Sequence, residues 1–258
     1  MVSEASIPAD FRDRLTDILS AEDVRDFLNY VEGPRSLSLR MAREDVDPAG
    51  IANELQAEGF ETETVSWIDE ALVLTPPDRT RLHRSAVSRR GDVFVQSLSS
   101  MAAVEALEVQ QGLDVLDCCA APGGKTSLIR MRQRGGGILV ANDLSRARTR
   151  KLQSVLNQFG VEGVEIITRP AESLGGTHES CFDRVLLDAP CSGEGRFRID
   201  QPSTWSDWEI GKIRRLSRLQ QRLLRSGIRT LRPGGILVYA TCTHAPEENE
   251  VVVDRVLE

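Results

Sequence analysis

The chain has 258 residues, 40% of them hydrophobic and 28% charged, with a net charge of −7. That is enough for one large domain or two smaller ones with a buried core, and no apolar run approaches the roughly 20 residues that span a bilayer. Five cysteines, two of them adjacent (Cys118, Cys119), and three scattered histidines (His83, His178, His244) argue against a disulfide framework and against a zinc site.

In chain order, residues 8–32 read as one helix, with Phe11, Leu15, Ile18 and Leu19 on one stripe and Gly33-Pro34 as the stop. Ser36–Met41 alternates as a strand. Asp47 or Pro48 opens a helix through Glu58 that Gly59 closes. Strands over Thr62–Trp67 and Ala71–Leu74 complete a βαββ order ahead of Pro76-Pro77. A small α/β lobe of RNA-recognition-motif type is expected over residues 1–90, with an accessory role in RNA binding, although the aromatic stacking signature of such motifs is not visible.

From residue 91 the rhythm becomes strand, turn, helix. Strands are predicted at Leu113–Cys118, Gly137–Asn142, Val164–Thr168, Phe182–Asp188 and Gly235–Thr241, and helices at Thr126–Gln133 and Ser145–Phe159. This alternation predicts a parallel, doubly wound α/β sheet over residues 91–258, with ligands at the carboxyl ends of the strands. The Gly-rich turn, Asp143, Asp188, Cys191 and Cys242 all fall at those ends.

The turn Cys119-Ala120-Ala121-Pro122-Gly123-Gly124-Lys125 brings backbone N–H groups and small side chains against a ligand, and the following helix N-terminus favours negative charge. Asp143, ending the next strand, can accept both ribose hydroxyls of an adenosine-containing ligand. Gly124-Lys125-Thr126 looks like the tail of a phosphate-binding loop, but the first glycine of that motif would fall at Cys119, so the match fails.

Three runs, Asp117-Cys118-Cys119-Ala120-Ala121-Pro122-Gly123-Gly124-Lys125-Thr126, Asp188-Ala189-Pro190-Cys191-Ser192-Gly193 and Ala240-Thr241-Cys242-Thr243, together resemble the Nop/Sun (RsmB-like, NSUN) family of RNA cytosine-5 methyltransferases. The resemblance is densest from Gly91 to Val253. It implies a Rossmann-like methyltransferase fold and S-adenosylmethionine as cofactor, its methionine end held by Cys119–Lys125 and its ribose by Asp143, with Asp188 also at the cofactor. It implies Cys242 as the nucleophile at cytosine C6, Cys191 as the residue assisting product release, and Asp188 with Lys125 at the base. Burial beside the base is expected to raise the Asp188 pKa. Cys118 and Cys181 are expected to be buried small hydrophobes. The family's aspartate after strand three is replaced by Pro170, leaving backbone contacts or Glu172 for the adenine.

Ribosomal RNA is the favoured substrate and transfer RNA the next. The negative net charge does not exclude RNA, because acidic residues crowd the first part of the chain and arginines gather from Arg130 to Arg232. Arg214, Arg218, Arg222, Arg225 and Arg229 form one helical stripe, suited either to phosphates or to a solvated face. The loop Gly193–Arg198, with Phe197 as a stacking residue, is the better RNA candidate of the two, while Trp205 and Trp208 read as packing residues. Family sheets end with two further strands that the chain lacks before Glu258, so either the sheet edge is supplied another way or the protein is a shortened form, and a monomer or a homodimer paired at an open strand edge is expected. Met1-Val2-Ser3-Glu4 has no signal-peptide character; the expected location is the cytoplasm, without membrane or metal. The rival class is a non-catalytic RNA-binding or ribosome-assembly factor that retains the fold.

Overall fold

The computed structural model describes residues 7–33 and 35–258. The chain opens with α1 (Ala9–Ile18) and α2 (Ala21–Glu32). The single helix expected over 8–32 is thus two, because Ser20 caps the second: its hydroxyl accepts from the Asp23 backbone N–H and donates to the Asp23 carboxylate at 2.6 Å. A Ser-x-x-acidic start signal of this kind outweighs the continuous apolar stripe.

A small sheet follows: β1 (Leu37–Met41), α3 (Pro48–Ala57), β2 (Glu61–Val65), β3 (Ile68–Thr75), α4 (Arg79–Arg84), α5 (Ala86–Arg90) and β4 (Val93–Val95). Asp47 caps α3 by accepting from Ala49 N and Gly50 N, with Pro48 in the first turn. The strand order is β2-β3-β1-β4 with antiparallel pairs, the split βαββαβ arrangement of the expected RNA-recognition-motif type. Its last strand lies beyond residue 90.

The larger sheet contains β5 (Val115–Asp117), β6 (Leu139–Asp143), β7 (Val164–Thr168), β8 (Phe182–Asp188) and β9 (Leu231–Ala240). Its helices are α6 (Leu98–Glu105), α7 (Gly124–Arg132), α8 (Arg146–Gln158), α9 (Leu174–Thr177), α10 (Ile210–Thr230) and α11 (Glu250–Leu257). The order is β7-β6-β5-β8-β9, with β5 parallel to both β6 and β8 and β6 parallel to β7. Succession reverses between β5 and β8, so the loops after those strands flank the switch point where α/β sheets bind ligands.

Two compact units result. One comprises residues 36–188 and 226–239; the other comprises residues through Arg35, 189–225 and 240–258. Packing therefore does not divide the chain at residue 90. One face of the small sheet (Leu39, Met41, Leu72, Leu74) packs on Ile51 and Leu55 of α3. Val65, Ile68 and Ala71 instead share a core with Met101, Val104, Leu128 and Leu186 of the larger sheet's layers. With both faces covered, all five residues of β1 are buried, and the sheet offers no open platform for bases.

The second unit is built on aromatic packing. Phe11, Leu15, Phe27, Val31 and Phe197 form its core, with Trp205 and Trp208 against it. The Phe197 ring lies 4.9 Å from that of Phe11 and is fully buried, so it cannot stack on a base. Phe197→Ala is expected to lower the unfolding free energy by about 3–5 kcal/mol, read as a fall in the urea midpoint. A surface stacking residue would change stability by less than about 0.5 kcal/mol.

Candidate active site

The strand–turn–helix after β5 builds the first group of residues. Ala120 N–H donates to Asn142 O at 2.8 Å and Ala121 N–H to Asp143 Oδ2 at 3.2 Å, tying the turn to the end of β6. Gly123 adopts φ +115°, where a side chain is strained, and a Cβ there would meet Leu152 Cδ1 at 2.9 Å. The first turn of α7 has no capping side chain, which leaves its leading N–H groups for a ligand.

Carboxylates line the same ends. Asp143 is buried, and its Oδ1 pairs with Arg148 Nε at 2.9 Å. Lys125 Nζ reaches Asp188 Oδ2 at 2.6 Å, joining the Gly-rich turn to the end of β8. The Asp188 side chain stays about 35% exposed, so the burial expected of it beside the base is only partial here. Asp117, not singled out by its sequence, is buried and accepts from Thr126 Oγ1 at 2.7 Å, while its Oδ1 has no hydrogen-bond partner among the described residues. Burial pushes its pKa from 3.8 up to about 7. Burial, with the neighbouring carboxylates Asp117 and Asp143, also pushes the Cys119 thiol up.

The second group lies in the other unit. Cys191 Sγ and Cys242 Sγ are 3.3 Å apart, and Cys242 N–H donates to Cys191 Sγ at 3.3 Å. The hydrogen bond shared with Cys242, then burial, raises the pKa of Cys191. Cys242 is exposed.

Two buried glutamates brace the cysteine loops. Glu248 accepts from Ser192 N–H at 3.0 Å and from Gln220 Nε2 at 2.8 Å, and Gln220 also holds Pro190 O. Glu194 accepts from Thr243 Oγ1, His244 N–H and Trp208 Nε1 at 2.8, 3.0 and 2.8 Å. Ser192 and Thr243 hydroxyls meet at 2.7 Å, and Gly195 N–H donates to Cys242 O. Loop residues lack a periodicity that marks burial, which is why these two carboxylates escape sequence reasoning.

Other expectations fare unevenly. Cys118 is buried, but Cys181, in the turn before β8, is exposed. The loop Gly193–Arg198 turns Glu194 and Phe197 inward, and Arg198 pairs with Asp200. Pro170 is followed by a short turn, Ala171–Ser173, in which Glu172 is exposed. A cavity of about 580 Å³ lies at the C-terminal end of α7, away from the Gly-rich turn, with charges of both signs (Arg43, Glu44, Asp69, Arg134) on its wall. No helix among the described residues is long and apolar enough to cross a membrane.

A family model described as 16S rRNA methyltransferase RsmB/F matches residues 104–258. Ribosomal RNA small subunit methyltransferase F of Pectobacterium carotovorum subsp. carotovorum (strain PC1) is 33% identical over 253 residues, covering 96% of this chain and 52% of the relative. The same-named protein of Aeromonas salmonicida (strain A449) is 33% identical over 258 residues, with coverages of 98% and 54%. The chain thus spans about half the length of these curated relatives. A methyltransferase homolog protein from Pyrococcus horikoshii superimposes with a TM-score of 0.83 at 31% identity, over 98% of this chain and 79% of that one. NSun6 from Pyrococcus horikoshii with SFG gives 0.85 at 21% identity, over 98% and 88%, a likeness of fold.

Asp117 sets a pH dependence of stability. The unfolded chain releases this proton near pH 3.8 and the folded chain keeps it to about 7. In between, the folded state binds the extra proton, so this contribution is full below pH 3.8 and lost as pH rises to 7. Asp117→Asn keeps an acceptor for Thr126 and is expected to flatten stability over that window, measured by urea unfolding at each pH. An unchanged slope would place the burden on other groups.

Proposed function

Because the chain belongs to the 16S rRNA methyltransferase RsmB/F family, we propose that it methylates C5 of cytosine in RNA, with ribosomal RNA as the favoured substrate and transfer RNA next. The observation that carries this reading is the thiol pair, Cys191 and Cys242 at 3.3 Å. A binding protein needs neither sulfur, whereas covalent catalysis at a cytosine ring uses one thiol to attack and a second group to let go.

S-adenosylmethionine is the family's cofactor, and it supplies an electrophilic methyl group when bound. The residues fit it: the Asp143 carboxylate at the end of β6 for the ribose and the uncapped first turn of α7 for the methionine carboxylate. Residues 119–125 would hold the methionine end. Arg148, now on Asp143 Oδ1, is largely exposed and can swing away from it.

The chain's own residues then divide the work. The Cys242 thiolate attacks C6 of the cytosine, and its electron pair forms the S–C6 bond. N3 takes a proton or a hydrogen bond at the Asp188–Lys125 pair, joined at 2.6 Å, with the ammonium as the source of the proton. Breaking the ring's aromaticity makes C5 enamine-like, so its electron pair can take the methyl group. Solvent water, which reaches the exposed Cys242, takes the C5 proton; the C5–H electron pair re-forms the C5=C6 bond, and the S–C6 pair leaves with Cys242 as thiolate. Cys191, 3.3 Å from the departing sulfur, assists this departure. An accessory RNA role for the small lobe would rest on its loops, since both faces of its sheet are covered.

One observation favours the non-catalytic reading: Pro170, with neither an acceptor side chain nor an N–H, stands where the family has an aspartate, and the neighbouring Glu172 side chain is exposed. Transfer of labelled methyl from S-adenosylmethionine to unmodified RNA separates the two. Label on cytosine C5 is expected with the wild type and only background with Cys242→Ala. Cys191→Ala is expected to accumulate a covalent RNA–protein adduct that survives denaturation. A folded wild type that binds RNA and the cofactor yet transfers no methyl would establish the assembly-factor reading instead.

A further inference from the structure

The longest helix carries a charge pattern that the reaction does not use. Within its 21 residues α10 has seven basic side chains (Lys212, Arg214, Arg215, Arg218, Arg222, Arg225, Arg229) and no acidic one, in a chain whose net charge is −7. At 3.6 residues per turn the six arginines fall within an arc of about 100°, which otherwise holds only Gly211. All six are exposed, whereas Ile213, Ser217, Gln220, Leu223 and Leu224 on the opposite arc are buried. A solvated helix face ordinarily mixes both signs to form i,i+4 pairs. Here no acidic residue lies on the helix itself: Arg215 meets Glu209, which precedes it, Arg225 donates to Arg255 O at 3.0 Å, and Arg229 meets Glu179 at a loose 3.6 Å.

We propose that this arginine face, from Arg214 to Arg225, is the surface on which the RNA substrate's phosphate backbone docks. The inference rests on the reading of the substrate as RNA and extends it to a specific face. Arginine predominates over lysine on the helix, and its planar fork engages phosphate oxygens in pairs. A membrane surface is a poorer match, because an interfacial helix must insert its apolar face and that face is occupied by the protein's own core. A protein interface would place aromatic or apolar anchors at its centre, and the arc has none.

The test is filter binding of an unmodified small-subunit ribosomal RNA transcript from 50 to 200 mM salt, with the wild type, Arg214→Gln/Arg218→Gln and Arg214→Lys/Arg218→Lys. Each lost phosphate contact removes about 0.7–0.9 from the slope of log K against log salt. The glutamine pair is expected to flatten that slope by about 1.5 and to raise KM for RNA about 10-fold with kcat unchanged. The lysine pair keeps the slope, and S-adenosylmethionine affinity and the unfolding midpoint stay at wild-type values in both. Equal slopes in wild type and glutamine variant, or no RNA binding by the wild type at low salt, overturn the proposal. So does an unmoved RNA affinity with lost retention on polyglutamate, which would assign the face to an acidic protein. Failure of the reaction is distinguishable: a wild type that transfers no methyl but binds RNA with a slope lost in the glutamine variant leaves the docking face standing.

Discussion

A single buried guanidinium ties the small sheet to the turn that carries the Gly-rich motif. Arg40, in the middle of β1, is fully buried. It donates to Gln96 Oε1 at 2.8 Å, to Met41 O at 3.0 Å, to Gly124 O at 3.1 Å and to Ser127 Oγ at 2.6 Å, and it lies over the Phe94 ring. Desolvation lowers its pKa to about 10, so it is still charged at neutral pH. A buried charge is tolerated only when its donors are satisfied, and two of the four acceptors sit in the first turn of α7. The constraint runs both ways: the small lobe cannot dock without that turn, and the turn is held by a residue some 80 positions upstream. This explains why packing joins residues 36–90 to the parallel sheet.

The same arginine shows where reading from sequence alone runs out. Alternation over Ser36–Met41 marks a strand, and the strand is there; alternation also implies that Ser38 and Arg40 face solvent, and both are buried. A period of two reports which residues share a face, not whether the second face is covered. The parallel strands were legible for the complementary reason. Val164–Thr168 and Phe182–Asp188 are observed at the predicted bounds; the first is a partly exposed edge strand, whereas the run Val185-Leu186-Leu187 of the second is the apolar signature of a strand buried on both faces. Motif-bearing ends were legible too, so Lys125 and Asp188 meet, as do Cys191 and Cys242. Phe197 was misread because an aromatic between two arginines has the composition of an RNA loop, whereas its partners Phe11 and Phe27 lie more than 160 residues away in the chain. No local signal carries such a contact.

Bracing by buried carboxylates follows from what two loop-borne thiols need. Each cysteine sits in a segment without ladder hydrogen bonds, and a sulfur pair at 3.3 Å allows little play. Glu248 and Glu194 collect the hydroxyl, indole, amide and backbone donors of those segments. The cost is desolvation, visible in the raised pKa of Glu248, and it is offset by several charge-assisted hydrogen bonds each worth more than a neutral one. Removing either carboxylate strands a set of donors rather than one, so these residues act as positioning groups for the cysteine loops.

Two chemically identical groups at one place must be made unequal if one is to attack and the other to assist. Environment does this in acid–base pairs by driving the two protonation equilibria apart. In this chain the asymmetry is already present: Cys191 accepts the Cys242 backbone N–H, shares a hydrogen with its sulfur and lies the deeper of the two, whereas Cys242 is exposed. Negative charge is therefore costlier on Cys191, and in the proposed reaction it is better placed on the sulfur that solvent and a base can reach. Exchange of the two roles would require the less accessible sulfur to carry the charge, against both desolvation and the nearby Glu248 carboxylate, which raises the pKa of Cys191 further. In the proposed reaction, accessibility and desolvation thus point the same way as the motif likeness, toward Cys242 as the attacking sulfur.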